Sequence, residues 1–114
     1  MTYKVLPAAR NDLLEIADFI ALDNPARALS FVAEIEAAIA TIVERPGSFP
    51  SRDELIVGLR NARHGRYLIF FLVDDEEVQI VRVLHAARDL PQAFGAHRLY
   101  VEQRGDMQLG HKRA

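Results

Sequence analysis

Tyr67-Leu68-Ile69-Phe70-Phe71-Leu72-Val73 is followed by the acidic run Asp74-Asp75-Glu76-Glu77 and then by Val78 to Leu84. The first stretch is apolar on both alternating faces, the pattern of a central strand covered twice. Four consecutive acids make a solvated hairpin tip, and so short a polar turn implies antiparallel pairing of the strands it joins. Just upstream, Leu59 to Arg63 reads as another strand, closed by a turn at His64-Gly65. Three strands in succession therefore form a meander.

The N-terminal half changes period. Tyr3 to Leu6 is a short strand candidate ended by Pro7. From Ala8 to about Leu22, the residues Leu13, Ile16, Ala17 and Ile20 fall at helical spacing with Asp12, Glu15 and Asp18 opposite. Asn24 can cap a second helix with Pro25 at its first position. That helix runs to about Glu44, with Ala28, Val32, Ile35, Ile39 and Ile42 as its stripe, and Arg45-Pro46-Gly47 ends it. Two helices joined so tightly fold back as an antiparallel hairpin. Residues 46–58 form a loop punctuated by Pro46, Gly47, Pro50 and Gly58. The expected architecture is α+β in the order β-α-α-β-β-β, a small, mostly antiparallel sheet packed against a two-helix hairpin. Residues 1–94 make up the domain; the polar remainder, 95–114, is open between a short helix, a partner-ordered segment and disorder.

Composition narrows the chemistry. A chain of 114 residues is one domain, and 50% apolar against 26% charged residues supports a packed core. The absence of cysteine excludes disulfide scaffolds, thiolate metal sites and cysteine nucleophiles. No apolar window approaches the roughly 18 residues of a membrane span, and no secretory leader opens the chain, so a cytoplasmic protein is expected. The four histidines, His64, His85, His97 and His111, never pair at metal-ligand spacing, so neither a metal nor a cofactor is expected. Only Ser30, Ser48 and Ser51 could serve as serine nucleophiles, and none sits in a Gly-x-Ser-x-Gly elbow; phosphate-cradling glycine loops are lacking too. A small-molecule substrate is not expected.

What remains is cationic. Of fourteen basic residues only Lys4 and Lys112 are lysines, a bias that fits fork-like recognition of carboxylates and phosphates or simply a genome rich in G and C. On the sheet half stand Arg60, Arg63, His64, Arg66, Tyr67, Arg82, His85, Arg88 and Asp89. By two-residue alternation Arg82 shares a face with Val78, Ile80 and Leu84. An arginine among such neighbours is paired internally, with Asp89 or the acids near residue 53 as partners, or emerges at a site. Both readings stay open.

Several of these residues also carry a family resemblance. Arg52-Asp53-Glu54-Leu55, Gly58-Leu59-Arg60, Gly65-Arg66-Tyr67-Leu68-Ile69-Phe70-Phe71 and Val81-Arg82-Val83-Leu84-His85-Ala86-Ala87-Arg88-Asp89-Leu90 resemble the ParE toxins of type II toxin–antitoxin modules, within the RelE/ParE superfamily. Leu6-Pro7-Ala8-Ala9, Asp12-Leu13, Ile16-Ala17 and Asp23-Asn24-Pro25 extend the likeness over about residues 3–94. The resemblance implies the same β-α-α-β-β-β fold and a toxin held in check by a cognate antitoxin, with operator DNA reached only through that antitoxin. It also implies one of two activities: inhibition of DNA gyrase, or ribosome-dependent mRNA cleavage, in which His85 and Arg88 would be the acid/base and cation. A superfamily member reduced to a non-toxic interaction module is the third alternative. Cleavage needs a base, an acid and several cations around the developing phosphorane. The central strands hold no lysine, and Phe94 stands where many of the nucleases place a tyrosine, which favours gyrase. Arg60, Arg63, Arg66, Tyr67, Arg82, His85 and Arg88 are then the target-binding candidates. For the antitoxin, the hairpin offers Phe19, Ile20, Leu29, Phe31, Val43 and Phe49, apolar residues beside the main stripe that either line an exposed groove or complete the core under the 46–58 loop.

Overall fold

The computed structural model describes residues 1–95. It contains β1 (Thr2–Val5), α1 (Pro7–Asp23), α2 (Pro25–Glu44), a single 3₁₀ turn (Pro46–Ser48), β2 (Arg60–His64), β3 (Tyr67–Asp74) and β4 (Glu77–His85). Residues 90–95 are helical. The expected tail lies outside the described residues except for Gly95.

Pro7 does more than end β1. It occupies the first position of α1, where its fixed φ suits the helix and its missing N–H is not needed. Asn24 alone separates the two helices. Its N–H bonds to the Ile20 carbonyl (2.8 Å), ending α1, while its side-chain oxygen accepts from the Arg27 N–H (3.1 Å), capping α2.

The strand order is β1-β4-β3-β2. The meander β2-β3-β4 is antiparallel, and β1 joins β4 in parallel, so the first and last strands are neighbours. The sheet is covered twice, as the β3 sequence demands. On one face Ala9 from α1 and Phe31, Ile35, Ile39 and Ile42 from α2 pack against Ile69, Phe71, Val78, Ile80 and Val83. On the other, Leu55 and Leu59 from the loop and Ala93 and Phe94 from the helical residues after β4 pack against Leu68, Phe70, Val81 and Leu84.

This last assignment corrects the simple alternation. Across from β3, partners run from Phe70↔Arg82 directly to Phe71↔Ile80, leaving Val81 as the extra residue of a β-bulge. The bulge reverses the parity of β4, so Val83 joins Val78 and Ile80 under the helices while Leu84 turns to the opposite side. A one-residue insertion in a strand leaves no mark in the apolar pattern of Val81-Arg82-Val83-Leu84.

Phe70 and Phe94 meet edge to face at 4.6 Å with both side chains fully buried. Replacing either with Ala should cost about 3–5 kcal/mol, read as a lowered denaturant midpoint with an unchanged slope in equilibrium unfolding.

Candidate functional site

Arg82 lies between the buried apolar residues Val81 and Val83 of β4. Its Nε and Nη2 donate to Asp12 Oδ2 and Oδ1 at 2.7 and 2.8 Å, a bidentate pair whose side chains are only 13% and 7% exposed. The Val83 N–H donates to the same Oδ2 at 2.9 Å. The internal brace anticipated for Arg82 exists, but its acid is Asp12 of α1 and neither Asp89 nor a residue near 53. Asp89 is otherwise engaged: its side chain accepts from the Gln92 N–H (3.1 Å) and caps the helical residues 90–95. Charge alone places Asp12 on the solvent face of α1, but it is buried. Its position three residues after buried Ala9 and four before Ile16, on the apolar stripe, is the signal that places it inside.

The other candidate arginines, Arg60, Arg63, Arg66 and Arg88, sort by what holds them. Arg60 Nη1 donates to the Phe49 carbonyl at 2.6 Å and pins the loop to β2. Arg63 Nε donates to the Gly65 carbonyl at 2.9 Å. Arg66 and Arg88 are exposed and make no side-chain hydrogen bond or ion pair among the described residues. Arg66 is displayed by its turn: Gly65 takes a φ of 56°, which glycine adopts without strain, and β2 reverses into β3 there.

Between these two free cations lies a row of rings. Tyr67 meets His85 edge-on at 5.5 Å and buried Phe31 at 5.3 Å, and Phe31 meets His64 at 6.0 Å. His85 Nδ1 accepts from the Ala87 N–H at 3.0 Å, so in the neutral ring Nε2 carries the proton. The Tyr67 hydroxyl has no partner among the described residues. An open groove of about 230 Å³ runs over this end of the sheet, walled by Ile16 and Phe19 on one side and by Tyr67, His85 and Arg88 on the other. A second, of about 310 Å³, continues past Tyr67 to Arg66 and Ile20. A third, of about 480 Å³, begins at Phe19 and Ile20 and ends at Leu22 and Asn24. The cationic end of the sheet and the tip of the helical hairpin thus form one continuous surface.

The six apolar candidates of the hairpin divide accordingly. Phe19 and Leu29 stand 73% and 76% exposed, and Ile20 is half-buried at the groove. Phe31 is buried, and Val43 and Phe49 pack onto the helix-side core, Phe49 edge-on to Phe71 at 5.8 Å. Those three complete the core. Leu14 and Leu22 are exposed apolar residues of α1 that helical periodicity passed over, and Leu22 extends the surface around Phe19.

Glu34 ties α2 to this end of the sheet. It accepts from Arg27 at 2.7 and 3.2 Å, and its Oε1 lies 2.7 Å from His64 Nε2. Hydrogen bonding from Arg27, and then from His64, holds the Glu34 carboxyl below the usual carboxylate range. A lowered folded value means that this contribution to stability is complete above the unfolded carboxylate value and disappears as pH falls through the folded one. Glu34→Gln should therefore lower the melting temperature slightly at pH 7, with variant and parent curves converging as pH falls through the lowered Glu34 value.

Among the described residues no group of three or more His, Asp or Glu side chains could hold a metal, and no helix is long and apolar enough to cross a membrane. A helical hairpin on a four-stranded sheet, with an arginine-flanked surface at one end, is the architecture expected of the ParE/RelE toxin class. Residues 3–90 match the family model "ParE toxin of type II toxin-antitoxin system, parDE", and the chain belongs to that family. Solved relatives agree. The chromosomal ParDE system from P. aeruginosa is 24% identical, covering 75% of this chain and 95% of its own, with a TM-score of 0.65. The toxin–antitoxin complex RelBE2 from Mycobacterium tuberculosis is 32% identical, covering 74% and 95%, with a TM-score of 0.52. A search of curated proteins found no match.

Proposed function

We propose that this toxin inhibits DNA gyrase, and that a cognate antitoxin silences it by laying an acidic amphipathic segment over the tip of the helical hairpin. The observation that carries the first part is how few cations are free to act together. Arg60 and Arg82 are committed to the fold, Arg63 folds back onto its own turn and Arg27 at the groove is paired with Glu34, so among the described residues Arg66 and Arg88 are the unpaired arginines beside the Tyr67–His85 surface. Strands β2, β3 and β4 contain no lysine. Two guanidiniums and an aromatic pair suit anchoring on a protein surface, where arginine and tyrosine dominate binding energy. They fall short of the convergent charge a phosphorane requires. Phe94, buried against Phe70, supplies no proton-transfer group.

Support for the antitoxin comes from the exposed apolar residues Phe19 and Leu22 beside free Arg66 and Arg88, along a groove continuous with the target-facing end. The solved RelBE2 relative is itself a toxin–antitoxin complex. One observation favours a second reading, ribosome-dependent mRNA cleavage: exposed His85, its ring 5.5 Å from that of Tyr67, lies beside Arg88 in one groove.

Supercoiling by gyrase and cleavage of ribosome-bound mRNA, assayed side by side with the purified toxin, separate the two. The expected result is blocked supercoiling and intact mRNA, with the Arg66→Ala, Arg88→Ala double variant at least about tenfold weaker. Cleaved mRNA with untouched supercoiling, lost in His85→Ala, would establish the nuclease instead. On the partner side, Phe19→Asp should weaken antitoxin capture at least about tenfold without changing the melting temperature, because the side chain is in solvent when the toxin is alone. Unaltered capture would move the docking site elsewhere.

A further inference from the structure

We propose that Asp12 is a positioning residue for the toxin's activity, acting through Arg82 and Val83 on the segment that carries His85 and Arg88. The inference rests on the reading that Arg66, Tyr67, His85 and Arg88 meet the target.

Parallel pairing of β1 with β4 ends at Val5↔Ile80, because the chain then turns into α1; the Leu6 N–H to the Ile80 carbonyl, 2.9 Å, is the last backbone tie on that side. The bulge at Val81 falls at the same point. From there to His85, β4 has a strand neighbour on one side only, and its register has just been loosened. On the open side the Val83 N–H would be left without an acceptor in a buried setting, which native structures avoid. Asp12 Oδ2 takes it at 2.9 Å, and the same carboxylate accepts from Nε and Nη2 along one edge of the Arg82 guanidinium at 2.7 and 2.8 Å. A single side chain of α1 therefore fixes the backbone and the side chain of the two residues that follow the bulge.

Everything downstream inherits that placement. His85 sits opposite Tyr67, the Ala86 N–H reaches back to the Arg66 carbonyl at 2.8 Å, and the Arg88 N–H bonds to the His85 carbonyl at 3.0 Å. All four target-facing residues are thus linked to the segment Asp12 clamps. Asp12 also lines the groove beneath His85 and Arg88, but both its oxygens are occupied, so it contributes placement and not contact.

The test compares Asp12→Ala with the neutral pair Asp12→Asn, Arg82→Gln. An asparagine oxygen can still accept from Val83, and its amide can bond the glutamine, so the pair keeps the clamp and removes both charges. Growth arrest on induction and supercoiling inhibition are the activity readouts, antitoxin capture reports folding, and amide hydrogen exchange reports local order. Asp12→Ala is expected to lose activity at least about tenfold, to speed exchange in residues 83–88 but not in α2 or β3, and still to bind antitoxin. The neutral pair should recover activity. Full activity in Asp12→Ala, or exchange that rises equally throughout the chain, overturns the proposal. So does a neutral pair that binds antitoxin yet stays inactive, since that would make the Arg82 charge itself a target contact. Should Asp12→Ala fail to fold, the neutral pair decides by the same criterion. If the parent toxin arrests growth without touching supercoiling, the gyrase reading falls while growth arrest still judges the role of Asp12.

Discussion

A strand that is apolar on both sides cannot face water on either, and β3 imposes that condition on the whole domain. Ile69 and Phe71 require the helical hairpin above them, and Leu68 and Phe70 require the loop carrying Leu55 and Leu59 together with Phe94 below. Both faces of the sheet are consumed by the core. What the molecule has left to offer another macromolecule is the ends of its strands, the turns between them and the outer side of the hairpin.

That constraint explains how the arginines are used. Arg82 in β4 and Arg60 in β2 meet protein and hold α1 and the 46–58 loop in place. A guanidinium at a turn meets water. Arg66 follows Gly65 at the β2–β3 reversal and Arg88 follows the end of β4, so these two are available. Arg82 is the instructive case: burying it is tolerable because Asp12 receives it in a bidentate pair, and loss of either partner would strand a charge in a nearly dry setting.

Much of the fold was legible because its signals are local. The switch from helical to alternating period, the Asn24-Pro25 cap and the acidic hairpin tip each specify an element without reference to distant residues, and the four-strand, two-helix order follows from them. The site was harder, for a physical reason. The Val81 bulge inserts a residue without changing the apolar pattern, and with it Leu84 changes sides. Asp12 meets Arg82 across the packing of α1 on β4, a pairing of distant residues that charge alone cannot specify among several acids. Asp89, closer in sequence, caps a helix instead. Of the apolar hairpin residues, composition could not separate Phe31, which faces Tyr67 in the core, from Phe19, which faces solvent.

The parallel pairing of β1 with β4 gives synthesis a direction. A ribosome releases the helical hairpin long before it releases the strand that must lie beside Thr2–Val5. Until the last strand emerges, the sheet cannot close and the residues around Tyr67 have no fixed arrangement, because long-range strand pairing is among the last contacts a chain can make. The hairpin tip with Phe19 and Leu22 is available earlier. On the function proposed above, the surface the antitoxin takes is thus ready before the one that meets the target.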